Sequence, residues 1–119
     1  MTKRTEYPPP GIMCFGRIPS VAALPGAFWT ATQTETGRKS DVLLYRTASD
    51  SVETRRLDCP GDPYQPCIAA VDQRTLFVVW NEVADRHWSL RCCTVDATTF
   101  ALSEVETLHT SDQLLMGPS

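Results

Sequence analysis

Residues 66–82 read PCIAAVDQRTLFVVWNE, and a similar stretch, PSVAALPGAFWTATQT, occupies residues 19–34. The two stretches begin 47 residues apart, and the distance becomes 48 after a one-residue insertion in the turn. The matched positions are Pro19 with Pro66, Ala22 and Ala23 with Ala69 and Ala70, Phe28 and Trp29 with Leu76 and Phe77, and Gln33 with Asn81. A third start follows at residues 117–119, GPS. Self-similarity at a period of this length indicates a repeat architecture.

Each copy has the pattern of a four-stranded antiparallel meander. The first repeat, residues 12–65, predicts strands at 20–24, 27–34, 41–47 and 52–58, with a shorter one at 12–18. The second repeat, residues 66–116, predicts strands at 67–71, 75–82, 88–95 and 101–108, and residues 111–119 would begin another unit. Turn signals every 8 to 12 residues and the many threonines and valines are typical of all-β folds.

The predicted fold is therefore all-β, with two propeller-like blades in residues 1–119 as a single domain. In each copy the first strands are apolar on both faces and the fourth is polar, which fits sheets that lie between neighbouring sheets. The alternative is a monomeric eight-stranded β-sandwich.

Two blades do not close a ring, so the repeat predicts bare apolar surface. A face bearing Phe28, or one bearing Leu76 and Val78, would be left without a neighbour. We therefore expect either a homo-oligomer or further blades. Three chains would give a ring of six blades, within the usual range for propellers.

Composition excludes several classes of partner. The chain has 119 residues, 42% of them hydrophobic, and a net charge of −3. No run of basic residues interleaves with aromatics, so nucleic acid is not an expected partner. The longest apolar run, residues 76–80, is too short to span a bilayer, and residues 1–10 lack the apolar core of a signal peptide. We expect no membrane association and a cytoplasmic location.

The five cysteines predict neither a metal site nor a disulfide framework. Their number is odd, which favours free thiols in a chain without a signal peptide. Cys59 and Cys67 bracket a turn and could pair if oxidised. Cys92 and Cys93 are adjacent, so in a strand they point to opposite faces and cannot bind one ion together. We expect no metal and no other cofactor.

The segment Phe15-Gly16-Arg17-Ile18-Pro19-Ser20 resembles the aromatic-Arg-Ile-Pro motif that opens the catalytic propeller of sialidases. Gly16 is an insertion relative to that motif, and residues 49–54 and 94–99 stand as degenerate forms of the family's Asp-box repeats. The resemblance implies that Arg17 binds a substrate carboxylate. It also implies that Asp41, or alternatively Glu35, is the catalytic acid/base.

The remaining candidate site residues lie in a polar loop of the second repeat. His87 and Trp88 follow Glu82 and Asp85, and Trp88 could stack on a sugar ring, whereas Trp29 and Trp80 lie in apolar runs typical of core strands. We therefore expect a non-catalytic binding or assembly module, completed by self-association or by further blades, with a glycan or protein as its ligand. The alternative is a sialidase-like glycoside hydrolase fragment in which Arg17 binds the substrate carboxylate.

Overall fold

A computed structural model describes residues 19–36 and 39–114, and these residues form two four-stranded antiparallel sheets without a helix. The first sheet contains β1 (Ser20–Leu24), β2 (Ala27–Thr36), β3 (Lys39–Thr47) and β4 (Val52–Leu57). The second contains β5 (Asp62–Ala70), β6 (Thr75–Ala84), β7 (His87–Asp96) and β8 (Glu106–Leu114). In each sheet the strands lie in chain order, so the predicted all-β class and its two meanders are confirmed. The candidate strand at 12–18 and the third start at 117–119 lie outside the described residues.

The two copies found in the sequence are also equivalent in their strand pairing. The first hairpin pairs Ala22 with Trp29 and Ala23 with Phe28, and the second pairs Ala69 with Phe77 and Ala70 with Leu76. The residues matched by the sequence repeat thus occupy matching register positions. The inserted residue falls in the turn, where Pro25 and Gly26 of the first copy are replaced by the longer bend at 71–74.

The fifth strand begins earlier than the sequence predicts. The predicted strand starts at residue 67, but β5 starts at Asp62, and the predicted boundary between residues 65 and 66 falls inside it. Prolines are tolerated here because β5 is an edge strand and because the register shifts between Tyr64 and Cys67. Gln65, at this bulge, has a φ of 56°. The first sheet ends at Leu57, so residues 58–61 connect the sheets.

The last strand begins later than predicted. The predicted strand spans residues 101–108, but β8 runs from Glu106 to Leu114, and Leu102 makes only an isolated bridge to Val95. Residues 111–114 therefore belong to β8 and do not begin another unit. The displacement follows from the turn after β7, because it places Phe100 in the core before the chain returns to the sheet.

The predicted loop at 83–87 is a two-residue turn. β6 continues to Ala84 and pairs it with His87, so only Asp85 and Arg86 lie outside the strands. Both have positive φ, 52° and 66°. Two successive residues of this kind form the primed turn that suits the twist of a hairpin.

The hydrophobic core lies between the two sheets. In the first sheet it contains Trp29 and Ala31 of β2 and Val42 and Leu44 of β3, all at most 1% exposed. The second sheet contributes Ile68, Leu76, Val78, Trp80, Cys93 and Val95. Phe100 packs edge-on against Trp29, with ring centroids 5.0 Å apart, and the Arg55 guanidinium lies 4.5 Å from the centre of the Phe100 ring. The predicted core role of Trp29 and Trp80 is confirmed.

A buried carboxylate fixes the connection between the sheets. The backbone N–H of Gly61 donates to Glu82 Oε2 at 2.9 Å, and the Trp80 indole donates to Glu82 Oε1 at 3.0 Å. Arg91 Nε lies 3.6 Å from the same Oε1. A Cβ atom at residue 61 would clash with the Val83 carbonyl oxygen, so only glycine fits this close approach.

The four described cysteines, Cys59, Cys67, Cys92 and Cys93, are free thiols. Cys59 and Cys67 do not pair, because Cys59 is buried in the core and Cys67 is exposed on β5. Cys93 joins the core and Cys92 points to the other face of β7, as their adjacency predicts. Burial, and then the charge of Cys92, raises the pKa of Cys93 from 9.0 to about 11.

Candidate functional site

Each sheet has a second face that points away from the core between the sheets. Strand alternation fixes their members, because residues that neighbour a core residue in a strand point the opposite way. The first outer face contains Val21, Ala23, Phe28, Thr30, Asp41, Leu43, Tyr45 and Thr47. The second outer face contains Cys67, Ala69, Phe77, Val79, Val83, Trp88 and Leu90, with Val71 directly after β5.

The first outer face carries an open apolar groove. Its volume is ≈ 720 Å3, and it is lined by the β1–β2 hairpin and by the residues that follow β3. Val21 and Phe28 in this lining are 55% and 57% exposed. More than half of each side chain is still exposed to water, so most of the free energy that its burial could supply is unused.

The second outer face is also apolar and partly exposed. Phe77 and Val79 are half-buried near its centre, and Ala69 is exposed beside them on β5. Val71 is 62% exposed at its edge. The prediction that Leu76 and Val78 would be bare is wrong, because both are 0% exposed in the core and Phe77 and Val79 take the outward positions.

Side chains at matched positions of the two repeats point in the same direction, perpendicular to the two stacked sheets. Phe28 and Val21 match Leu76 and Ile68, which are 0% and 4% exposed because the first sheet covers them. In the same way Trp29 of the core matches Phe77 of the second outer face. Two sheets related by a two-fold axis would instead turn matched residues towards each other.

Asp41, the predicted acid/base, lies buried on the first outer face. Its Oδ2 is 3.4 Å from the Arg56 guanidinium, which reaches it from β4. Glu35 belongs to β2 and pairs with Ser40 across the hairpin. Arg17, the predicted carboxylate ligand, lies outside the described residues.

His87 and Trp88 lie on the other sheet, beside the tight turn after β6. The His87 Nδ1 is 2.9 Å from the Asp85 carbonyl oxygen, within the turn itself. Trp88 is half-buried on the second outer face, and its ring lies 5.4 Å from that of His109 on β8. Asp41 and Trp88 therefore lie on opposite outer faces, and the fold does not bring them into one site.

A smaller cleft of ≈ 290 Å3 lies where the turns of the two sheets meet, between Leu24, Arg46, Gln73 and Thr98. Its one charged side chain already has partners. Arg46 lies 3.6 Å from Glu53 and 5.7 Å from the centre of the Trp29 ring. This arrangement serves to hold β3 and β4 to the core.

The sequence does not show that Val21, Ala69 and Val71 point outwards, although the outer faces depend on them. Once one core residue of a strand is known, the alternation of side chains identifies the residues that point outwards. The sequence alone does not show which residues face the core, because these strands are apolar at successive positions.

Among residues 19–36 and 39–114, no cluster of three or more His, Cys, Asp or Glu side chains could hold a metal ion. The same residues contain no helix long and apolar enough to cross a membrane. Comparisons with protein-family models, curated proteins and solved structures give no match.

Proposed function

We propose that this chain is a non-catalytic assembly module whose two sheets are propeller-type units, completed by self-association. The observation that carries the proposal is the state of the two outer faces. Each carries exposed apolar side chains beside polar ones, and each is the repeat equivalent of a face that is buried between the sheets of the same chain. A surface of this kind usually marks a protein interface.

Burial of the open side chains supplies the driving force. Fully burying a side chain such as Val or Phe is worth about 1.5–3 kcal/mol, and Val21 and Phe28 each still have more than half of that to gain. Both outer faces would be covered at once in a closed ring. Three chains would supply six four-stranded units, a number that closed propellers use.

The sialidase-like alternative and the glycan ligand stay predictions. Glycoside hydrolysis needs two groups held at a defined spacing across the bond to be cleaved. Asp41 is engaged with Arg56 on one outer face, while Trp88 lies on the other and His87 is engaged with the turn after β6. This separation favours the non-catalytic function over the hydrolase.

The mass of the protein in solution tests the proposal. We expect a mass near three times that of the 13.2 kDa chain by light scattering or sedimentation. Phe28→Asp places a charge in the groove and should give a monomer. Leu108→Asp is the matched control, because Leu108 is 52% exposed on β8, away from the inner strands, and this variant should assemble normally. A wild-type chain that stays monomeric at high concentration would refute self-association.

A further inference from the structure

We infer that the two outer faces bind each other between copies of this chain, head to tail, in the arrangement that the two sheets already have within one chain. This inference rests on the proposed self-association and adds its orientation. The first outer face of one copy would receive the second outer face of the next. The interface is therefore heterologous, and its rotation either closes a ring or continues as a filament.

The contact within the chain provides the pattern. Its two sides are the core face of the first sheet, with Trp29 and Ala22, and the core face of the second, with Leu76 and Ile68. The matched residues on the outer faces are Phe77 and Ala69 on one side, and Phe28 and Val21 on the other. A second copy placed on the first outer face would thus set Phe77 and Ala69 against Phe28 and Val21.

The edge strands β1 and β5 show how close this contact is. Within one chain the backbone N–H of Ile68 donates to Ser20 Oγ at 3.0 Å, and Ser20 Oγ lies 3.7 Å from Cys67 Sγ. The repeat equivalent of Ser20 is Cys67, which is exposed, and the equivalent of Ile68 is Val21, which is 55% exposed. In the proposed assembly Cys67 of one copy would lie against the backbone of Val21 in the next.

Size also favours a second copy over an unrelated partner. Phe28 is open at 57% on the first outer face, and the second outer face carries a small exposed side chain, Ala69, on β5. A large side chain on one surface meets a small one on the other, which is the complementarity that dense packing needs. Both surfaces carry exposed apolar side chains and belong to the same molecule.

Mixing two blocked variants tests the orientation. Phe28→Asp blocks the first outer face and Ala69→Asp blocks the second, and both positions are exposed in the single chain, so each variant should fold. Circular dichroism and the melting temperature of each variant check this. We expect each variant alone to be monomeric by light scattering, and an equimolar mixture to form a one-to-one dimer. The dimer forms because the mixture offers one intact pair of faces.

Three results would count against the inference, and the first two differ from failure of the proposed function. If the wild type assembles but the mixture stays monomeric, head-to-tail docking is wrong. If either variant alone still forms a dimer, the interface joins like faces through a two-fold axis and the inference is overturned. A monomeric wild type refutes self-association itself, and with it this inference.

Discussion

Cys92 and Cys93 are adjacent in β7, but their side chains enter different surroundings. Cys93 is in the core beside Val78 and Val95, whereas Cys92 lies on the other face, where burial and the charge of Glu106 raise its pKa. A thiolate is the reactive form of cysteine, so both thiols are poor nucleophiles at neutral pH. Of the four described thiols, the exposed Cys67 is the accessible one.

The raised pKa of Cys93 predicts a loss of stability in alkali. Below pH 9.0 the thiol is protonated in both states, so its contribution to stability is fully present. As the pH rises from 9.0 towards 11, the Cys93 thiol ionises in the unfolded chain but stays mostly protonated in the folded chain, so the free energy of unfolding falls. We expect a loss of about 2 kcal/mol by pH 10.5 from this group.

Denaturant unfolding at pH 8 and at pH 10.5, under reducing conditions, measures this loss. Cys93→Ala should be less stable at pH 8 because it leaves a cavity, yet it should lose less stability between the two pH values than the wild type does. Cys67→Ala removes an exposed thiol, and this variant should lose as much stability between pH 8 and pH 10.5 as the wild type does. An equal loss in Cys93→Ala and the wild type would show that Cys93 is not the group responsible.

At the scale of an element, hydrogen bonds within the turn after β7 hold the conformation that places Phe100 in the core. The Asp96 carboxylate accepts from the backbone N–H groups of Thr98 at 2.7 Å and Thr99 at 3.0 Å. The Phe100 N–H donates to the Asp96 carbonyl, and Phe100 adopts a φ of 63°. This conformation, uncommon for a bulky residue, turns the Phe100 ring onto Trp29.

These bonds lower the pKa of Asp96, chiefly through the backbone N–H of Thr99 and then that of Thr98. A lowered pKa stabilises the fold above the ordinary value of 3.8, and the stabilisation is lost as the pH falls through the folded pKa. We expect Asp96→Ala to lower the melting temperature by a few degrees at pH 7. The difference from the wild type should shrink on acidification towards pH 2.

Thermal unfolding of the wild type, Asp96→Ala and Asp96→Asn between pH 7 and pH 2 checks this. Asparagine keeps an oxygen acceptor for the turn but has no charge to titrate, so it should lie between the other two at pH 7. A difference between Asp96→Ala and the wild type that stays constant with pH would contradict the role of the charge.

The elements that the sequence predicts well are those with local signals. The hairpin at Pro25 and Gly26 is one, since proline and glycine mark the turn and apolar runs flank it. The start of β5 could not be predicted, because prolines read as a break unless the strand is known to lie at an edge. The start of β8 could not be predicted for another reason, because the contact of Phe100 with Trp29, distant in sequence, sets the length of the preceding turn.

At the scale of the whole molecule, the repeat predicts two equivalent sheets but not which faces meet. Matched residues such as Phe28 and Leu76 have the same character in both copies, so the sequence does not say which one is covered. That choice depends on the order in which the sheets stack, a tertiary property. For a similar reason the sequence does not show that Asp41 and Trp88 lie on opposite outer faces, because each is plausible locally and the stacking separates them.

Stacking that continues between chains predicts a stability that depends on concentration. A ligand that binds only the folded state raises the melting temperature, and in a homo-oligomer the chain is its own ligand. We expect the melting temperature of the wild type to rise by several degrees over about a hundredfold increase in protein concentration. The melting temperature of Phe28→Asp should not change over this range, whereas that of Leu108→Asp should follow the wild type. Scanning calorimetry or fluorimetry at several concentrations measures this, and a wild-type melting temperature that is independent of concentration would mean that folding gains nothing from assembly.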